Sequence, residues 1–141
     1  MRVHLSVVAA LLIASAAAVA TPPAPGHPVL GTWRVSTPET SCVETWDFFP
    51  DGTTHNRSAD EDSYSEYTIS AQLTADGYFI LVDTITETNG GMDCSGQPGA
   101  PVGDTAKVYL VPRGADELAL CMDEKLRLCP GVLDRVPTPT S

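Results

Sequence analysis

Few residues in this chain are equipped for chemistry: the cysteines Cys42, Cys94, Cys121 and Cys129, the histidine His55, and the strand-borne carboxylates Glu44, Asp47, Asp83 and Glu87. Thiols can ligate metal, do redox or nucleophilic work, or pair. Zinc sites use close C-x2–4-C pairs or nearby histidines, and redox sites use C-x-x-C. Neither spacing occurs here, so disulfides are the expected use, with no metal and no cofactor. Four cysteines allow three pairings. Cys121 and Cys129 lie symmetrically about Lys125, as cross-strand partners in a hairpin would, which leaves Cys42 with Cys94. Strand parity sets Cys121 with Ala119 and Glu117, opposite Leu118 and Leu120, so this bridge is expected on an outer face.

A catalytic set does not assemble from what remains. His4 lies in the N-terminal apolar segment and His27 in a Pro-rich leader, so His55 stands alone on a polar strand, where a solvated surface role is expected. No G-x-S-x-G or comparable nucleophile context accompanies it. Asp60-Glu61-Asp62 with Glu66 begins like a calcium loop, but Ser65 stands at the turn-glycine position and Ala71 where a bidentate Glu is required. A solvated acidic loop is the simpler reading. Glu44 shares strand parity with Trp46 and Phe48, so it is a candidate for a carboxylate inside the fold. There it would need a partner such as Arg34 or Arg57, contact with water at a mouth, or a raised pKa.

The elements that must position these groups are short and β-rich. Met1-Arg2, an Ala/Val/Leu run and Ala18-Val19-Ala20 before Thr21-Pro22-Pro23 form a secretory signal over residues 1–20. Its apolar stretch falls short of the roughly 20 residues a spanning helix needs. The full chain has 141 residues and a net charge of −10, and loss of Arg2 makes the processed chain more acidic still. Such a charge repels phosphate backbones and anionic lipid, which excludes nucleic acid and membrane surfaces as expected partners. Solubility is its simplest use. The Ala- and Pro-rich composition points to a bacterial source. In a eukaryotic host, Asn56-Arg57-Ser58 would be a glycosylation acceptor.

Residues 21–28 (TPPAPGHP) are expected to be an extended, mobile leader, residues 29–136 the folded domain, and residues 137–141 a disordered tail. Strands are expected at 29–36, 43–49, 52–58, 64–71, 78–88, 105–111, 117–121 and, in short pieces, from 126 to 136. Pro50-Asp51-Gly52 and Asp76-Gly77 supply turns, and 89–103 is a long Gly- and Pro-rich loop. About eight short strands at regular spacing indicate an all-β fold, a sandwich or barrel, of which only the barrel removes exposed edges. Trp33, Trp46, Phe48, Phe49, Tyr64, Tyr67, Tyr78, Phe79 and Tyr109 fall on these strands and are expected mostly to fill its interior. A barrel of eight strands is wide enough for packed side chains or one small ligand. For this length a filled core is expected.

Leu30-Gly31-Thr32-Trp33 resembles the G-x-W first-strand signature of lipocalins and their calycin relatives. The resemblance implies an antiparallel up-and-down barrel. It also implies that an arginine on the last strand, here Arg135, packs over Trp33 and closes one end. Gly31, Trp33 and Arg135 are then structural. Phe48-Phe49-Pro50-Asp51-Gly52-Thr53 is similar to the F-x-x-D-G-T turn of small bacterial lipocalin-like domains. A G-x-W start followed by a cysteine also resembles small periplasmic inhibitors of secreted metalloproteases, whose N-terminus enters the protease.

The leading expectation is a monomeric, periplasmic or secreted, lipocalin-like barrel that is not an enzyme. It would bind a small apolar ligand in its mouth, through Trp33, Glu44, Trp46 and Phe48, or a partner protein of the cell envelope on its loops. The alternative is a protease inhibitor acting through residues 21–28. An envelope hydrolase built on Glu44 ranks third.

Overall fold

The structure, a computed structural model, describes residues 21–36 and 40–140. The expected signal segment lies outside the described residues. Eight strands follow in order: β1 (Gly31–Ser36), β2 (Glu44–Phe48), β3 (Thr53–Ser58), β4 (Glu61–Ile69), β5 (Phe79–Thr88), β6 (Thr105–Pro112), β7 (Glu117–Cys121) and β8 (Gly131–Arg135). Each pairs antiparallel with the next, and β8 pairs with β1, so the sheet closes into a barrel. The fold is all-β, with no helix among the described residues.

Local chemistry makes the hairpins. After β2, the Asp51 carboxylate accepts from the Thr53 amide at 3.0 Å and from its hydroxyl at 2.7 Å. These two bonds, the hydroxyl's first, hold the Asp51 carboxyl below its ordinary pKa. Gly52 takes the left-handed backbone (φ 87°) that the turn requires. Between β3 and β4 the chain reverses through Ala59, a non-glycine residue also held left-handed, at φ 52°. Of the stretch Asp60-Glu61-Asp62, expected as a solvated loop, Asp60 lies in the turn while Glu61 and Asp62 open β4, with Glu61 paired to Ser58. The reason is the loop that follows β5. Its Met92 carbonyl accepts from the Asp60 and Glu61 amides at 3.0 and 3.1 Å, so this loop fixes the turn.

Inward-facing residues stratify the barrel. Trp33, Phe48, Tyr67, Leu110, Leu118 and Leu133 belong to one buried cluster that fills one end. Arg135 lies over Trp33, its guanidinium carbon 4.2 Å from the ring centre, and donates to the Leu30 and Pro28 carbonyls at 2.9 and 2.6 Å. The Trp33 indole N–H donates to the Val29 carbonyl at 2.7 Å. Residues 21–28 were expected to be extended and mobile, but this segment turns back onto the same end. His27 is only 5% exposed, its Nε2 within 3.1 Å of the Ser70 carbonyl oxygen and its ring 4.7 Å from that of Phe79. Nδ1 accepts from the Val29 amide at 3.1 Å, so both ring nitrogens have partners within the fold.

The disulfides are Cys42–Cys94 and Cys121–Cys129, and no described cysteine is free. Cys121 has the expected outward parity but is fully buried, in a second cluster with Tyr78, Tyr109 and Ala119 on the outside of the barrel. The 122–130 segment joins the antiparallel β7 and β8, lays Leu126 over that face, and is closed beside the Cys121–Cys129 bridge by the Met122 amide donating to the Leu128 carbonyl at 2.8 Å. Several aromatics accordingly do not fill the interior: Tyr78 and Tyr109 pack outside, while Phe49 and Tyr64 are exposed.

Candidate functional site

Parity decides what faces the barrel's other half. On β2 the inward side chains are Trp46 and Phe48; on β3, Thr54 and Asn56; on β5, Leu81 and Asp83; on β6, Ala106 and Val108. Together they line a cavity of about 140 Å³. On β4, between β3 and β5, the inward positions Ser63 and Ser65 carry side chains too short to fill the space. The barrel is packed at the Trp33 end and hollow at this one, where a core filled throughout was expected. Its walls are apolar on the β2 and β6 sides and polar between.

Asp83 is the acid in this cavity. Burial pushes its carboxyl above the ordinary aspartate range, and nearby Ser65 and Thr54 hydroxyls offset part of that rise. Thr54 donates to Asp83 Oδ1 at 3.4 Å. No cation pairs with Asp83 among the described residues. On the same wall Asn56 Oδ1 is buried without any hydrogen-bond partner. Buried polar atoms are normally satisfied, so an orphaned one at a pocket carries information. Asn56 is also no glycan acceptor in this orientation, because its side chain lines the cavity.

Of the residues expected to touch a ligand, Trp46 and Phe48 line this cavity, their ring centres 6.3 Å apart. Trp33 and Glu44 do not. Trp33 is sealed beneath Arg135 at the packed end. Glu44 accepts from the Ser58 hydroxyl at 2.9 Å, and that hydroxyl also accepts from the Cys94 amide at 2.9 Å. Glu44 therefore ties β2 and β3 to the disulfide loop. The pairing with Arg57 is not made, since Arg57 bridges Asp47 at 2.8 Å on the outer face. Nearby Glu61 is raised by burial first, with Asp93 and Glu44 adding repulsion. The sequence signal for Asp83 was its parity with Phe79 and Leu81 on an otherwise apolar run.

His55 is not the solvated group expected. Its side chain is 16% exposed, stacked on Tyr64 with ring centres 4.2 Å apart, and Nε2 lies 2.9 Å from Asp62. Arg57 Nη1 lies 3.2 Å from Nδ1. Because Arg can only donate, Nδ1 accepts and the Nε2 proton faces Asp62. This network lies on the outside of the barrel, while Asp83 lies inside. His55 and Asp62 therefore meet on the outer face, apart from the cavity that holds Asp83. The described residues also hold no group of His, Cys, Asp and Glu arranged for a metal ion.

Fold and cavity together define a class: a small, closed, eight-stranded antiparallel β-barrel, braced by two disulfides, with a pocket at one end. The disulfides fit an oxidising, extracellular-type environment. No described helix is long and apolar enough to cross a membrane. No protein-family model, curated protein or solved structure matches the chain.

Proposed function

We propose that this protein is an exported, lipocalin-like barrel of the bacterial envelope or its surroundings that binds a small, largely apolar molecule without transforming it. The observation that carries this reading is the 140 Å³ cavity, walled by Trp46, Phe48, Leu81 and Val108. An apolar cavity of about 150 Å³ is enough to hold benzene, so the size fits a single ring or a short branched chain. Ligand pockets are mostly apolar with a few placed polar groups, which is the composition found here. Arg135 over Trp33 supports the lipocalin-like assignment, and the two disulfides support export. The reading of residues 21–28 as a protease-inserting arm draws no support from a segment whose His27 is buried against the barrel.

The test is titration of the oxidised protein with toluene and ethylbenzene, followed by amide NMR shifts. Shifts confined to Trp46, Phe48, Leu81 and Val108 are the expected result. Ala106→Leu, which fills the mouth, should abolish them while leaving thermal stability unchanged. Equal binding by this variant would move the ligand elsewhere and overturn the assignment. Native mass spectrometry of protein purified from its own source would show whether a ligand is retained, and N-terminal sequencing would show whether residues 1–20 are removed.

A further inference from the structure

The polar half of the cavity restricts what an occupant can be, given that it binds small molecules as proposed above. We infer that the ligand is a cationic amine: a small primary ammonium on an apolar body about one ring in size. Its ammonium meets Asp83, and its body lies against Trp46, Phe48 and Leu81. Three observations converge on this chemistry.

The first is a donor deficit. The Asp83 carboxylate has no cation partner among the described residues, and on the same cavity wall Asn56 Oδ1 is buried with no hydrogen-bond partner. A carboxylate and an amide oxygen only accept. An ammonium offers three donors and no acceptor, which matches the deficit; an alcohol offers a single donor. The second is charge. A carboxylate or phosphate ligand would set a like charge beside Asp83 in a chain whose net charge is −10. The third is preorganisation. Folding has already removed part of the water around Asp83 and fixed Thr54 within 3.4 Å of it, so less ordering and desolvation remains when a cation arrives. The apolar walls of Trp46, Phe48 and Leu81 reward a hydrocarbon body that a hydrated ion lacks.

The experiment uses the oxidised, full-length folded protein and three probes of one shape: benzylamine, benzyl alcohol and benzoate, titrated by calorimetry at neutral pH. Benzylamine should bind about tenfold to a hundredfold more tightly than benzyl alcohol, the range of a charge-assisted hydrogen bond. Benzoate should bind more weakly than either. Asp83→Asn should remove the preference for the amine, bringing benzylamine and benzyl alcohol affinities to within about twofold of each other, because the charged contact that separated them is gone. Because the ligand series is read on the unaltered protein, the result stands even if the variant folds poorly. If benzyl alcohol binds and benzylamine binds no better, the amine inference is overturned while the binding barrel survives. Retention of the amine preference by a folded Asp83→Asn also overturns it. If none of the three probes binds, both readings fall.

Discussion

Arg135 covers Trp33: its guanidinium carbon lies 4.2 Å from the indole centre, and two of its nitrogens reach the Leu30 and Pro28 carbonyls. One side chain on the last strand thus closes the barrel seam, caps the buried tryptophan and anchors the incoming chain. Arg135→Ala should destabilise the protein by about 2–3 kcal/mol, from a cation–π contact plus charged hydrogen bonds partly open to water. Arg135→Lys should fall between, because an ammonium keeps the charge but not the planar fork. Urea unfolding of the three proteins checks the order. A neutral effect of Arg135→Ala would mean that the seam is held by strand pairing alone.

Asp83 gives a pH signature of defined sign. Its folded-state pKa is raised by burial, so between the ordinary aspartate value and the folded one the unfolded chain ionises first. Stability contributed by this group is therefore greatest in acid and is lost as pH rises through that window. Asp83→Asn should be more stable than the parent at pH 7, and the advantage should vanish at pH 3. Paired thermal melts at the two pH values decide it. Asp51, lowered by its bonds to Thr53, and Asp93, lowered chiefly by Ser95, act in the opposite sense, which is why the comparison is made between variants.

The two disulfides should differ in weight. Cys42–Cys94 closes a separation of 52 residues and Cys121–Cys129 one of 8. In the chain-entropy model these are worth about 4 and about 2.5 kcal/mol respectively. Double alanine variants compared by chemical denaturation should show the larger loss for the long loop. The short bridge also fills the outer cluster through Cys121, so its loss should expose Tyr78 and Tyr109 to quencher.

At the β3–β4 turn, Ala59 is held left-handed where glycine is favoured. Ala59→Gly should stabilise the protein by up to about 1 kcal/mol. Gly91 is the converse case: a methyl group there would collide with the Asp60 carbonyl, so Gly91→Ala should push the 89–99 loop off the turn. Hydrogen exchange at the Asp60 and Glu61 amides, which donate to Met92, would report the loosening. Unchanged protection would place the restraint elsewhere.

Much of the fold was legible because it is local. Asp51-Gly52 and Asp76-Gly77 announce turns, and two-residue periodicity marks the runs between them, so the strand count and order follow from the sequence. The two cysteine pairings followed too. The site was less legible. Glu44 and Asp83 carry the same parity argument, each alternating with large apolar residues. Only closure of the barrel decides that Glu44 comes to rest on Ser58 beside a disulfide loop, while Asp83 faces open space.

By itself, then, the sequence determined the alternation, the turns, the cysteine spacing and the Gly31-Thr32-Trp33 start, all properties of residues near one another along the chain. The tertiary structure alone decided where the interior is filled and where it is hollow. A cavity is a deficit of volume summed over strands that meet only once the sheet closes: Thr54 on β3, Ala106 on β6 and Asp83 on β5 leave it jointly. Likewise the outward face at Cys121 became a buried one only when the 122–130 segment folded across it. Neither outcome is a property of any single strand, and so neither could be read from strand patterns alone.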